Sequence, residues 1–363
     1  MKGMKRKGTA AAALLLAALA LGAAFAGGAQ GAYDPIGSGT TRLVLDKGLL
    51  SLLKKQGVVL KATAPAKRQG KTIVLPVSGG KEDPTQGKGE VAHEGQIVFA
   101  KGNRKVPLRE IELKAKRTPL FAKVGGSQLK LATAKKTVAK REGFGQGFVA
   151  TGLELTAKVA TRLNKKLRTG RAFGEGLALG AVRSKTRPQR VAILERGQGT
   201  LVPDPAILAK FRSLFVSLNP IAPAELAPGP LLKFPIALGG QIAPDGSEGT
   251  LRLGGAIELL QLGAGQVFHS EYWLDLGLES ASAEVDVEPT PAFPGKLGRI
   301  GAFDLGQGSV VSDPKTRAIS LSGAPLTLTA ATAQSFDEAF AAGAPTFAAG
   351  ELFGTVGFGA VGQ

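Results

Sequence analysis

The chain has 363 residues, including 51 Gly and 21 Pro, and a formal net charge of +18. It contains no Cys, which excludes disulfide bonds, thiolate metal ligands and thiol nucleophiles. Its Met residues are Met1 and Met4, and its His residues are His93 and His269. Because the chain offers so few sulfur or nitrogen ligands, we predict no metal site. The many glycines and prolines predict a protein rich in turns rather than a helical one.

The N-terminal residues predict a secretory signal peptide. A positively charged start precedes an apolar run rich in Ala and Leu, and residues 24–26 and 29–31 are candidate cleavage sites. We assign residues 1–31 to the signal and expect a secreted protein or one on the extracellular face of the cell envelope. The alternative is an uncleaved membrane anchor, because the apolar run approaches the length that spans a bilayer.

After the signal, the sequence is typical of a mostly β protein. Apolar and polar residues alternate over short runs such as Lys71–Val77, Glu90–Phe99 and Val106–Lys114. Gly and Pro separate these runs, which indicates half-buried antiparallel strands. The glycine-rich segment 143–147 has the spacing of a phosphate-binding loop, but it precedes another strand and therefore predicts a hairpin turn.

Four short helices interrupt the predicted strands. Asp46 is a candidate N-cap and Gly57 a candidate stop, while Pro205 suits a first helical turn. Apolar residues recur at i and i+4 in the other two helices, so that each can pack one face on a sheet. The predicted helices span Asp46–Gly57, Thr156–Leu167, Asp204–Phe211 and Thr329–Phe340.

One long unit occurs twice in the chain. Gly79-Gly80 recurs as Gly239-Gly240, and the pattern of residues 89–97 recurs at 249–257. A unit of this length exceeds the roughly 20–50 residues of solenoid repeats. We therefore predict two tandem β-sandwich-like domains, at 32–184 and 200–363, joined by a linker at 185–199, each with about two short helices.

The two predicted domains differ in charge. Residues 42–190 hold 33 Lys and Arg against 10 Asp and Glu, a net charge of +23, whereas residues 198–363 hold 8 against 16, a net charge of −8. Such asymmetry bears on partners rather than on fold. The basic clusters at 114–117 and 135–141 predict contacts with anionic envelope polymers, lipid headgroups or haem propionates. The alternative is a solvated basic surface.

Segment 83–97 carries a resemblance to a known family. A Gly-Gly turn after an apolar strand is followed by Gly-x-Val-x-His-x-Gly-x-Ile, with His93 as the histidine. In this the chain resembles the HtaA-type, haem-transport-associated domain of actinobacterial surface proteins, over residues 41–183 and more weakly over 198–360. The resemblance implies an exported or surface-attached β-rich module. Some members of the family bind haem in a pocket associated with a Tyr iron ligand and with His residues.

The resemblance makes His93, His269 and Tyr272 the candidate haem contacts. His93 occupies the family's His-x-Gly position, where the second copy has Leu253. The family's Tyr near the domain start has no counterpart in the first copy, and His269 and Tyr272 lie further along the second. Strand alternation places His93 with apolar side chains, and it places His269 and Tyr272 on opposite faces unless a bulge intervenes. The alternatives are a hydrogen-bonded strand His93, and Tyr272 and Trp273 packed in the core or at its rim.

Two functional interpretations remain open at this stage. No Ser-His-Asp or paired-carboxylate arrangement is recognisable, so we expect no enzyme. Basic residues are not interleaved with aromatic ones, so we expect no nucleic-acid partner. The first interpretation is an exported cell-envelope binding protein that holds haem. The second is a structural or adhesive surface protein without haem, whose basic domain contacts anionic envelope polymers.

Overall fold

The computed structural model describes residues 33–114, 120–288, 295–341 and 344–363, without the side chains of residues 194 and 195. The predicted signal peptide and part of the basic cluster at 114–117 lie outside the described residues. Residues 33–363 form one compact unit that is mostly β, so the predicted fold class is confirmed. No helix among the described residues is long and apolar enough to cross a membrane.

In the described residues between 34 and 188, eleven strands form the first of two antiparallel sheets, and we call this part the first half. The predicted strand at Glu90–Phe99 is divided in two by Gly95, whose φ is +86°. The strands are β1 (Asp34–Leu45), β2 (Val59–Thr63), β3 (Lys67–Gln69), β4 (Thr72–Asp83), β5 (Lys88–His93), β6 (Gln96–Lys101), β7 (Arg104–Lys114), β8 (Leu120–Val124), β9 (Ser127–Glu142), β10 (Gly145–Leu155) and β11 (Ala178–Pro188).

Eleven further strands between residues 191 and 362 form the second sheet, in the second half. They are β12 (Val191–Pro203), β13 (Val216–Ile221), β14 (Glu225–Ala227), β15 (Leu231–Ile242), β16 (Gly249–Gln261), β17 (Gly265–Asp275), β18 (Ser280–Val287), β19 (Gly298–Leu305), β20 (Ser309–Asp313), β21 (Ala318–Leu328) and β22 (Leu352–Gly362).

The strand order is equivalent in the two halves. In the first half it runs β7-β5-β4-β1-β11-β10-β9-β8, and the pairing of β8 with β7 closes a ring. In the second half it runs β16-β17-β18-β19-β21-β22-β12-β15, and β15 pairs with β16 to close a second ring. Strand β1 therefore corresponds to β12, β11 to β22, and β7 to β17.

Two helices accompany each sheet, as the sequence predicts: α1 (Lys47–Lys55), α2 (Ala157–Leu167), α3 (Pro205–Ser213) and α4 (Ala330–Phe340). Asp46 caps α1 by accepting from the amide of Gly48 at 2.7 Å, and Asp204 caps α3 by accepting from Ala206 at 2.8 Å. These bonds satisfy amides that have no partner within the helix. The helices bury their apolar faces against the sheets, including Leu163 of α2 and Phe336 of α4.

The glycines that recur in the sequence occupy corresponding positions in the fold. A Cβ on Gly80 would lie 2.0 Å from the carbonyl oxygen of Glu90, and one on Gly240 would lie 2.8 Å from that of Thr250. Both contacts are closer than a real Cβ tolerates. The strand pairs β4–β5 and β15–β16 thus approach each other where only glycine fits.

Each half has its own apolar core, and the two halves also touch. Phe144, in the turn between β9 and β10, packs in the core of the second half. The predicted hairpin at 143–147 is confirmed, since β9 and β10 pair directly across it. Only Gln189 and Arg190 separate β11 from β12, so residues 185–199, expected to link two domains, lie mostly within these two strands. Separate folding of the halves remains a prediction.

Candidate functional site

His93 lies at the end of β5 in a buried chain of hydrogen bonds. It is 6% exposed, in keeping with the prediction that it faces the apolar side. Its Nδ1 lies 2.8 Å from the carbonyl oxygen of Ile111 and must donate to it, because a carbonyl only accepts. Nε2 therefore accepts from the hydroxyl of Thr41 at 2.6 Å, and Thr41 accepts from Ser184 at 2.7 Å. Burial lowers the pKa of His93, against the opposing effect of the Ile111 hydrogen bond.

The second half has apolar residues at the positions that form this series of hydrogen bonds in the first half. Val77 pairs with His93 in the first half, and Ile236 pairs with Leu253 in the second. Gly199 takes the place of Thr41, and a Cβ there would lie 2.6 Å from Cδ2 of Leu253. A hydrogen-bonded histidine and a leucine packed over a glycine thus fill the same place. Both ring nitrogens of His93 are hydrogen-bonded within the protein in this arrangement.

A β-bulge brings His269 and Tyr272 onto one face of β17. The sequence predicts opposite faces for the two residues unless a bulge intervenes, and a bulge does intervene, because the register shifts between Ser270 and Trp273 and Glu271 has φ +50°. Both side chains point into the core, at 3% and 6% exposure, with ring centroids 6.5 Å apart. In β7 the corresponding residue Glu110 has φ +47°, and the positions of His269 and Tyr272 are occupied by Leu108 and Ile111.

Nε2 of His269 and the Tyr272 hydroxyl are buried and have no hydrogen-bond partner among the described residues. The His269 ring stacks on Phe336 with centroids 5.7 Å apart, and Tyr272 meets Phe234 edge-on at 5.5 Å. Desolvation lowers the pKa of His269 to about 4 and raises that of Tyr272 well above its ordinary value. Both groups are therefore neutral at physiological pH.

The geometry around these three residues does not fit a haem. Both nitrogens of His93 are engaged, and His269 is enclosed by Phe303, Phe336 and Tyr272. The cavity that Tyr272 lines measures about 20 Å³, which is room for about one water molecule. An iron porphyrin would have to displace the core of the second half to reach His269 or Tyr272.

Trp273 lies at the rim of the core, which is one of the two positions that the sequence predicts for it. The guanidinium of Arg252 lies 4.1 Å from its ring centroid and that of Arg299 lies 4.5 Å away. Arg299 also pairs with Glu271 and Glu284, each at 3.3 Å. The only Trp of the chain is thus held by two cations of its own half.

A row of basic side chains covers the outer face of β1, β11, β10 and β9. Arg42 of β1 lies directly opposite Arg183 of β11, and Lys185 lies opposite Gly147 of β10, which in turn faces Lys140 of β9. We call the exposed residues Arg42, Lys140, Arg183, Lys185 and Arg187 the basic face. Among the described side chains, its one salt bridge joins Lys185 to Glu142 at 2.7 Å. Like charges directly opposite each other destabilise a sheet.

The same face of the second half carries no charge at the corresponding positions. Thr200 replaces Arg42 and pairs with Gly357, which replaces Arg183. Gly359 replaces Lys185, and Val361 replaces Arg187. The fold therefore does not need basic residues there, and the repulsion between Arg42 and Arg183 is specific to the first half.

Sequence analysis identified the charge excess but not this face. The alternation Arg183-x-Lys185-x-Arg187 has the period of a strand and could have indicated it. The placement of Arg42 beside Arg183 depends on pairing across 141 residues, for which the sequence holds no local signal. In the predicted basic cluster 135–141, Lys140 belongs to the basic face whereas Arg141 points to the opposite side of β9.

A second feature that the sequence did not indicate is a group of buried carboxylates where the halves meet. Asp34, Glu82 and Asp83 are 0%, 1% and 1% exposed. Asp34 accepts from the amide of Ala192 at 2.8 Å, and Glu82 accepts from the Thr186 hydroxyl. Desolvation is the main cause that raises the pKa of Asp34 and of Glu82 to about 7, with smaller raising contributions from the charge of Asp83 on Asp34 and from the charge of Asp34 on Glu82. No group of three or more metal-binding side chains occurs among the described residues.

Comparison with known proteins gave likenesses in structure alone. No family model matches the chain, and no curated protein matches it. The chain is similar to the crystal structure of the C-terminal domain of HtaA from Corynebacterium glutamicum, with 13% identity and a TM-score of 0.38 over 47% of this chain and 98% of that one. It is also similar to the N-terminal domain of the same protein, with 20% identity and a TM-score of 0.36 over 46% and 97%.

Proposed function

We propose that the protein is an exported, non-enzymatic binding protein of the cell envelope, and that its first half attaches to anionic polymers through the basic face. The observation that carries this proposal is the facing pair Arg42 and Arg183, extended by Lys185, Arg187 and Lys140 on adjacent strands. A polyanion laid across these strands would relieve the repulsion and release counterions as it binds. Export is supported by the predicted signal peptide at residues 1–31.

Haem binding is the second candidate, and one observation favours it. The bulge in β17 brings an imidazole nitrogen and a phenol hydroxyl, both without partners, to the same face. A ligand could satisfy both atoms, but only after the aromatic core around His269 has opened. The closed core ranks haem below polyanion binding.

The experiment is a binding isotherm of the full mature chain with an anionic envelope polymer, at low and at physiological salt. A neutral polysaccharide of similar length serves as the control ligand. We expect saturable binding of the anionic polymer only, with affinity that falls steeply with salt because exposed cationic contacts are screened. Binding of both polymers alike, or binding that ignores salt, would contradict the proposal.

The same preparation tests the second candidate. Addition of haemin should give no saturable shift of the Soret band, because none of the three candidate residues is accessible. A saturable shift that is lost on Tyr272→Phe or His269→Leu would instead place haem in the second half.

A further inference from the structure

An open cleft lies where the two halves meet, on the side of β9 opposite the basic face. Its volume is about 870 Å³. Strand β9 and the turn between β4 and β5 form one wall, and the turn between β20 and β21 forms the other. The polar lining consists of Thr85, Gln86, Thr137, Arg141, Lys315 and Arg317.

The cleft is lined by three cations and by no carboxylate. Within the part of the chain that the structure describes, Arg141, Lys315 and Arg317 form no salt bridge. The nearby carboxylate of Asp313 is satisfied within its own turn, accepting from the amide of Lys315 at 2.9 Å and the Thr316 hydroxyl at 2.8 Å. Lys315 and Arg317 therefore have no carboxylate partner among the described residues that line the cleft.

Arg141 is held rigidly at the floor of the cleft. Its Nη1 donates to the main-chain oxygen of Gln363 at 2.5 Å and its Nη2 donates to the Thr85 hydroxyl at 2.6 Å. Burial, and after it the positive charge of Arg317, lower the pKa of Arg141. The guanidinium groups of Arg141 and Arg317 thus repel each other. Because the site is partly desolvated, an anion between them would be attracted more strongly than in bulk water.

The buried carboxylates behind Arg141 offset part of its charge, because the charges of Asp34, Asp83 and Glu82 raise its pKa against the effects of burial and of Arg317. Burial raises the pKa of Asp34 and of Glu82 to about 7, so both carry only part of their negative charge at neutral pH. Asp83 accepts from the amides of Thr85 and Gln86, both at 3.0 Å, and fixes the turn that brings Thr85 to the cleft. The acidic group positions the wall without occupying the cleft.

We propose that this cleft binds a phosphate group, with Arg141, Arg317 and Lys315 as its charged contacts and Thr85 and Thr137 as hydroxyl donors. Two guanidinium forks and an ammonium suit a tetrahedral oxyanion, which can accept paired hydrogen bonds from each fork. The phosphate comes from a phosphodiester polymer or is free in solution. This inference goes beyond the proposed function, because the residues of the cleft lie outside the basic face.

The test is isothermal titration calorimetry of the full chain with orthophosphate, with a short phosphodiester polymer and with polyglutamate. The cleft variant is Lys315→Gln with Arg317→Gln, both on the surface of the second half. The matched control is Arg212→Gln with Lys296→Gln, which removes the same charge from the same half away from the cleft. Thermal unfolding with and without phosphate checks that both variants are folded and reports binding independently.

We expect orthophosphate to bind the wild-type chain and the control alike, and to bind the cleft variant at least tenfold more weakly. If orthophosphate binds as tightly as the polymer per phosphate, the free ion is the ligand, whereas much tighter polymer binding identifies a phosphodiester chain. Absence of saturable phosphate binding to the wild-type chain, or equal binding by the cleft variant, would overturn the proposal. If polyglutamate binding is lost only when the basic face is substituted, the phosphate result for the cleft does not change. Each of the two proposals can therefore fail without the other.

Discussion

The outer faces of the two halves show what the fold requires and what it does not. Strands β1 and β11 carry Arg42 opposite Arg183, while the equivalent strands β12 and β22 carry Thr200 opposite Gly357. The register is the same, and both sheets close in the same order. Since the second half is built without charge at these positions, the repulsive pair in the first half is not needed for folding. We attribute it to binding.

The interiors of the two halves also differ in polarity at equivalent positions. His93 with Thr41 and Ser184 fills a place that Leu253 and Gly199 fill in the second half, whereas His269 and Tyr272 fill places held by Leu108 and Ile111 in the first. Each half thus has polar groups where the other is apolar. His93 is fully hydrogen-bonded, but His269 and Tyr272 have unpartnered atoms.

The largest expected effect follows from making the two outer faces alike. Replacing Arg42, Arg183, Lys185 and Arg187 by Gln should weaken binding of an anionic polymer by roughly 100-fold at low salt, because four cationic contacts are lost. Each lost contact should also reduce the slope of log affinity against log salt by nearly one. The control replaces Lys54, Lys158, Lys165 and Lys166 by Gln, which removes the same charge from helices α1 and α2. Equal loss in the control would show that net charge alone, rather than the face, determines binding.

The interior comparison predicts a coupled pair of substitutions. His93→Leu alone should lower the free energy of unfolding by about 2–4 kcal/mol, because Thr41 and the Ile111 carbonyl lose a buried partner. Adding Thr41→Gly copies two of the three positions of the second half, since Ser184 stays where that half has Phe358, and it should recover part of this loss, although glycine in a strand has its own cost. Denaturant unfolding of the two single variants and the double variant measures the coupling. Additive losses would contradict the equivalence of the two places.

The buried carboxylates predict a dependence on pH. The folded-state pKa values of Asp34 and Glu82 are about 7, raised from 3.8 and 4.5, so their contribution is fully present below pH 4 and is lost as pH rises through 7. The free energy of unfolding of the double variant Asp34→Asn with Glu82→Gln, relative to that of the wild-type chain, should therefore rise by about 2–4 kcal/mol between pH 5 and pH 8. Melting curves of both proteins at each pH measure the difference directly. A difference that stays constant with pH would mean that neither carboxyl group titrates in this range.

The smallest expected effect concerns Tyr272. Its hydroxyl is buried without a partner, so Tyr272→Phe should leave the protein equally stable or more stable by about 1 kcal/mol. The control is Thr41→Val, which removes a hydroxyl that is hydrogen-bonded and should be destabilising. A clear loss of stability in Tyr272→Phe would reveal a partner for the hydroxyl, such as a buried water.

The sequence predicted much of the fold but little of the site. Alternation, glycine turns and capping residues such as Asp46 and Asp204 act locally, and these led to the strands and the four helices. The bulge at Glu271 could not be predicted, because a single residue with positive φ reverses the face of Tyr272 without changing the pattern around it. The basic face and the junction carboxylates depend on the pairing of strands that are far apart in the chain, such as β1 with β11 and β1 with β4, for which the sequence holds no local signal.

The most direct test of the account is lysine footprinting of the full chain with and without a saturating anionic polymer. Acylation of exposed amines, followed by mass spectrometry, reports on each lysine separately. We predict that Lys140 and Lys185 become protected, while Lys54 and Lys165 on the helices and Lys296 in the second half do not. Uniform protection of all lysines, or protection that spares Lys140 and Lys185, would contradict a binding surface on the strands of the first half.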